Sequence, residues 1–250
     1  LMPRYRLTVA YDGRPFHGWQ RQEDGQPSVQ QTLEDALFVL TKVRTTVHGG
    51  GRTDAGVHAL RQGAHIELPD AIDPRRLADG LNGIMRPAPV AVLDAAEAAP
   101  DFHARFSAVR RRYRYRILNR RAPPTVEAGF VWHHRRPLDA AAMTDAAAIF
   151  CGRHDFTSVR SVQCQAASPL KTLDRLDVDA EGDENRLWVE ARSFLHNQVR
   201  IMTAALASVG AGKRSRDDLA AAFAARDRTR IPETAPADGL ALAEVVYDEV

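Results

Sequence analysis

Apolar and polar side chains alternate one by one from Arg6 to Tyr11 and stop at Asp12-Gly13, the pattern of a half-buried strand that ends in a turn. The period then lengthens. Ser28 offers an N-cap with Gln31 three residues on, and Val29, Leu33, Ala36, Leu37 and Leu40 fall on one face of a helix. Thr45 to His48 and Gln62 to Leu68 read as strands on either side of a glycine-rich loop. Asp73-Pro74 starts a short helix to about Asn82, with proline at its favoured first position, and Pro89 to Leu93 is a strand.

The second half repeats this order. Arg112 to Leu118 reads as a strand and Asp139 to Phe150 as an alanine-rich helix. Leu170 to Val178 and Arg186 to Ala191 form a strand pair across Glu181-Gly182-Asp183. Helices follow from about Leu195 to Val209 and from Asp217 to Ala225, and Leu240 to Tyr247 is the last strand. Each half thus reads β-α-β-β-α-β, the ferredoxin-like order. The expected architecture is α+β: two ferredoxin-like subdomains, residues 1–100 and 101–250, with antiparallel sheets side by side and a central cleft. Asn119 to Pro137, rich in proline and arginine, is the longest irregular stretch and a candidate binding loop.

The chain's 250 residues, 44% of them hydrophobic, suffice for sizeable cores. A net charge of +2 conceals an uneven distribution, because ten arginines and one acid, Glu127, lie between Phe102 and Arg136. Arginine forks onto phosphate and stacks on bases, so this stretch, including Arg111 and Arg120, suggests an anionic polymer as partner. Cys151 and Cys164 have no CxxC spacing and suggest neither a disulfide framework nor a zinc site. No apolar run reaches a membrane span, and the first residues lack the apolar core of a signal peptide, so a cytoplasmic protein that does not enter membranes is expected.

The candidate chemistry sits in Gly49-Gly50-Gly51-Arg52-Thr53-Asp54-Ala55-Gly56-Val57-His58-Ala59, a glycine-flanked loop with one carboxylate at its centre. Its four glycines allow positive φ and close approach of the backbone to a ligand. Asp54 could serve as nucleophile, general base, metal ligand or cap. The nine histidines, among them His48, His58, His65, His133 and His134, show no HExxH or comparable helical pair, so no metal is expected. With no phosphate-binding Gly-x-x-x-x-Gly-Lys loop, no dinucleotide fingerprint and no catalytic Cys or Ser context, carboxylate chemistry without a cofactor remains.

The string GRTDAGVHA resembles the signature of the tRNA pseudouridine synthase I (TruA-type) family. The resemblance continues, in order along the chain, in Tyr11-Asp12-Gly13 and Phe16 to Gln22, Asp101 to Ala108, Arg112 to Tyr115, and Phe194 to Arg200. It implies a cofactor-independent isomerase that converts uridine to pseudouridine at positions 38 to 40 of the tRNA anticodon stem-loop, working as a homodimer. In such enzymes the bond from N1 to the ribose breaks, the uracil rotates, and a bond forms from C5; attack by the aspartate at C6 or C1′, or an initial proton abstraction, all stay open. Either carbon is reachable only once the base has left its helix.

The resemblance further implies that Asp54 is the catalyst and that Arg52 holds the flipped-out state. Tyr113 stacks on the uracil, Arg200 pairs with Asp54, and Leu240 lies under the base. Tyr113 and Tyr115 share one strand face and Arg112, Arg114 and Arg116 the other, while Arg200 borders the apolar stripe of its helix. Two rival readings are a synthase with another RNA target and a non-catalytic RNA-binding protein.

Overall fold

The computed structural model describes residues 2–22 and 25–248. Its contacts divide the chain into two units, Leu1–Arg111 with Ala241–Val250, and Arg112–Leu240. Both are α+β.

The first unit contains β1 (Arg4–Tyr11), α1 (Val29–Thr41), β2 (His48–Gly49), β3 (His58–Glu67), α2 (Pro74–Met85) and β4 (Val90–Ala98). β1 pairs antiparallel with β3 on one side and β4 on the other, and β2 pairs antiparallel with β3, which is the ferredoxin-like order 4-1-3-2. Alternation in β1 turns Tyr5, Leu7 and Val9 inward to full burial, where Leu33 and Leu37 of α1, Leu77 and Leu81 of α2, and Ile66 join them. α1 packs on α2, and α2 on β4.

The strand expected from Thr45 shrinks to the two residues of β2. The cause is local: the Val47 N–H donates to Glu34 Oε1 and the Val47 carbonyl accepts from Gln30 Nε2, so side chains of α1 take the backbone groups that a ladder would use. β3 in turn begins four residues earlier than its alternation suggests, at His58.

The second unit takes up β5 (Ala108–Leu118) from Arg112 onward and continues through β6 (Trp132–His133), α3 (Ala140–Ala147), β7 (Gly152–Asp155), β8 (Leu170–Glu181), β9 (Glu184–Ala191), α4 (Gln198–Gly210) and α5 (Arg216–Ala224). Its strands lie in the order β5-β9-β8-β7, with β6 parallel to β5. The inward face of β5 carries Tyr113, Tyr115 and Ile117, all buried, as the alternation predicts. α4 starts three residues later than expected because Asn197 adopts a left-handed conformation (φ 60°) and Gln198 Oε1 accepts the Leu195 N–H, closing a turn ahead of the helix. The helix is buried nearly all round, including Thr203, whose hydroxyl donates to the Val199 carbonyl.

The closing strand, β10 (Leu240–Tyr247), falls from Ala241 onward in the first unit. It runs parallel to β3, with Ala241 opposite His58 and Leu242 opposite Ala59, and its Tyr247 hydroxyl donates to the Ala104 carbonyl at 2.8 Å.

Ser28 begins α1 as expected, its Oγ accepting the Gln31 N–H at 3.2 Å. Ser28→Ala should lower unfolding free energy by about 1 kcal/mol in urea titrations, the usual worth of such a cap. No change in the midpoint would contradict this helix start.

Candidate active site

The loop from Gly49 to His58 is held by a second loop, Asp12 to Gln20, that follows β1. The Trp19 N–H donates to the Thr53 carbonyl at 3.1 Å, the Gly56 N–H to the Phe16 carbonyl at 3.2 Å, and the Gly13 N–H to His58 Nδ1 at 3.0 Å. Buried Tyr11 and Thr53 join their hydroxyls at 2.8 Å. Burial raises the Tyr11 phenol above its ordinary pKa, so it stays protonated. Gln62 closes the base of the loop by bonding both the N–H and the carbonyl of Gly51. Asp54 sits half-buried at the tip, and its carbonyl accepts the Val57 N–H at 3.1 Å.

Gly13, Gly18 and Gly49 serve this interlock. A Cβ on Gly13 would lie 2.1 Å from the Val57 carbonyl oxygen, and one on Gly18 (φ 92°) 2.5 Å from that of Thr53. Within the loop, Gly49 lies against the Trp19 indole, where a Cβ would come within 2.5 Å of the ring, and Gly56 has positive φ (77°). Close approach between two backbones therefore accounts for Gly13 and Gly18, a side-chain contact for Gly49, and positive φ for Gly56.

Arg52 is exposed on the same loop. Arg111, expected among the phosphate-facing arginines, is only 8% exposed. Its Nε and Nη2 donate to the Gly50 carbonyl at 3.1 and 2.6 Å, and Nη2 and Nη1 reach the carbonyls of Arg105 (2.6 Å) and Ala108 (3.3 Å). This guanidinium grips the strand that leads into Arg52 and Asp54.

The other named residues lie in the second unit. Tyr113 is buried and meets Phe194 edge-on, with ring centroids 5.1 Å apart. Arg200 is half-buried; its Nε donates to the Ala235 carbonyl at 2.7 Å and its Nη1 to Asn197 Oδ1 at 3.0 Å. The same segment carries buried Leu240, and Tyr115 anchors it by donating to the Pro236 carbonyl at 2.7 Å. Gly239 lets it lie against Tyr115, whose ring a Cβ would approach to 2.6 Å.

The basic stretch is less positive in space than along the chain. Arg112 pairs with Glu190 at 2.8 Å, Arg116 with both Glu184 and Glu127, and Arg120 with Asp183 at 3.1 Å. Hydrogen bonds from Arg116 and Arg186 hold the Glu184 carboxyl at about 2, well below the usual range. Histidines also gather where no sequence pattern shows them: His48, His65 and His103, from three separate segments, bring ring nitrogens within 4.8 Å of one another.

The α+β chain thus braces one aspartate, Asp54, on a double loop. Residues 7–107 and 146–248 match the family model described as tRNA pseudouridine synthase. The chain belongs to this tRNA pseudouridine synthase family, whose members are isomerases acting on tRNA. It is 56% identical to tRNA pseudouridine synthase A of Rhodospirillum rubrum over 246 residues, covering 98% of this chain and 88% of that protein. It is also 52% identical to the enzyme of that name from Maricaulis maris, covering 98% of each, and 55% identical to that from Beijerinckia indica, covering 99% and 95%.

Sequence reasoning named Asp54 and Arg52 but not the holding roles of Tyr11, Trp19, Thr53 and Gln62, and it named Arg111 as a phosphate-facing residue only. The one available signal was the recurrence of glycine in Asp12-Gly13 and His17-Gly18 ahead of α1.

Gly18→Ala should lower turnover at least tenfold in a chain that still folds, because the added methyl displaces Thr53 next to Asp54. Parent-like turnover would show that the interlock is dispensable. Arg111→Ala should lower stability by at least about 2 kcal/mol, since buried acceptors left unpaired cost roughly 1–3 kcal/mol each. It should leave the salt dependence of tRNA binding unchanged. A slope shallower by one unit at parental stability would instead mark Arg111 as a phosphate contact.

Proposed function

We propose that the chain isomerises uridine to pseudouridine at positions 38 to 40 in the anticodon stem-loop of tRNA, as a cytoplasmic homodimer and without a cofactor. Asp54 is the catalyst and Arg52 steadies the flipped nucleotide. Tyr113 stacks on the uracil, Leu240 supports it, and Arg200 supplies the cation that keeps Asp54 ionised as water is excluded. Arg120 contacts the RNA backbone, while Arg111 holds the catalytic loop. The observation that carries the reading is the intact GRTDAGVHA loop, locked to the segment after β1 so that one carboxylate is presented in a fixed place. A binding protein has no use for such a group, because a carboxylate repels the phosphates it must attract.

The residues in these roles suit them physically. Tyr113 offers an aromatic face with a polar handle. Arg200 is preset by Asn197 and Ala235, so little side-chain entropy is lost when it pairs. No helix among the described residues is long and apolar enough to cross a membrane, which accords with a substrate free in the cytoplasm.

The test is to map pseudouridine in unmodified tRNA after treatment with the pure protein. Product at 38, 39 or 40 is expected; product only elsewhere would replace the target, and binding without product would favour the non-catalytic reading. Asp54→Asn should abolish product and keep tRNA affinity within a few-fold, since it removes the carboxylate with little change of shape. Residual turnover near the parent's would remove Asp54 from the mechanism. Arg52→Ala should lose far more rate than affinity, and an equal loss of both would reduce Arg52 to a phosphate contact.

A further inference from the structure

The histidine cluster of the first unit adjoins an aromatic ring that nothing in the fold requires to be outside. Phe106 is 71% exposed, in contact with His103 (centroids 4.4 Å apart), and the exposed Arg105 guanidinium lies 5.9 Å from its centroid. His103 meets His65 at 4.6 Å, and His65 stacks nearly parallel on exposed His48 at 4.7 Å.

The tautomers follow from the backbone. The Ala104 N–H donates to His65 Nδ1 and the Arg105 N–H to His103 Nδ1, both at 3.1 Å, so each neutral ring carries its proton on Nε2. Burial and the neighbouring His48 and His103 hold His65 at about 4, neutral at pH 7. Among the described residues the bonds of both rings run through Nδ1, which leaves two Nε2–H donors for a ligand. A zinc ion at roughly 2.1 Å from each nitrogen would need those protons removed. An oxygen suits them better, because N–H···O bonds of about 2.9 Å use the protons where they are, and the three rings each bring one nitrogen within 4.8 Å of the others.

We propose that Phe106, His103, His65, His48 and Arg105 form a nucleotide-docking platform, in which one unpaired base of the substrate RNA stacks on Phe106 and its phosphate accepts from the histidines. An exposed aromatic ring beside arginine and neutral donors is the chemistry that recognises splayed-out RNA bases. The platform lies away from Asp54: β3 carries the chain from His58, beside the loop, to His65, seven residues on and roughly 23 Å along a strand. It therefore holds a nucleotide other than the target. The proposal rests on tRNA being the substrate.

The experiment measures the Kd for unmodified tRNA, at several salt concentrations, for the parent, Phe106→Ala, His103→Ala and His103→Gln, together with the single-turnover rate at saturating enzyme. Phe106→Ala should weaken binding roughly 5-fold to 100-fold, the worth of one base stacked on an aromatic ring, with the saturated rate within twofold of the parent. Its salt slope should stay unchanged, because stacking releases no counterions. His103→Ala should also weaken binding, and His103→Gln, whose amide still donates, should recover part of the loss. Kd values within twofold of the parent for both Phe106→Ala and His103→Ala overturn the proposal. So does a change of oligomeric state in Phe106→Ala, seen by light scattering, which would make this face a contact between copies, or one zinc per chain that EDTA removes together with tRNA affinity. Because Kd is read independently of product, a parent that binds tRNA and makes no pseudouridine overturns the proposed activity alone.

Discussion

The loop that carries Asp54 depends on a steric condition: two backbones approach so closely that neither Gly13 nor Gly18 has room for a methyl group. That contact ties Thr53 and Val57, the neighbours of Asp54, to the segment leaving β1. The same segment delivers the chain into α1, since the Val29 N–H donates to the Gly18 carbonyl and the Gln30 N–H to that of Trp19. The loop is thereby fixed to a helix that is itself packed on the sheet. Ordering of this kind is completed on folding, so the carboxylate needs no further ordering when substrate arrives. Arg111 extends the bracing to the other end of the loop. Its buried guanidinium satisfies the carbonyl of Gly50, the residue that follows the two of β2.

Charge along a sequence is a poor guide to charge in space, and β5 shows why. Its outward arginines stand where β9 supplies Glu184 and Glu190, about seventy residues later in the chain, so pairing cancels much of the excess counted between Phe102 and Arg136. What remains unmasked is a smaller set of exposed groups. Bulk attraction is screened by salt, whereas placed contacts such as stacking and neutral donors are not.

Much of the fold was legible because its signals are local. The Ser28 cap, proline at the first position of α2, and the alternation in β1, β5 and β10 each sit within a few residues. Elements whose backbone groups are taken by distant side chains were misjudged, as at Val47, where Glu34 and Gln30 displace a strand. The parallel pairing of β10 with β3 joins residues some 180 positions apart and leaves no mark in either segment. In the site, Asp54 and Arg52 could be named from one string. Tyr11, Gln62 and Arg111 could not, because a tyrosine, a glutamine and an arginine in or beside strands look the same whether they face a core, a solvent or a loop they hold.

The central claim is that Asp54 is presented by a preorganised loop, and native-state hydrogen exchange of the amides of Trp19, Gly56 and Val57 tests it most directly. If the interlock holds as described, these three should exchange with opening free energies close to that of the β1–β3 ladder, in the free protein and without RNA. Exchange at the rate of an open surface loop, with protection appearing only when tRNA is bound, would mean that the substrate and not the fold orders the Asp54 carboxylate.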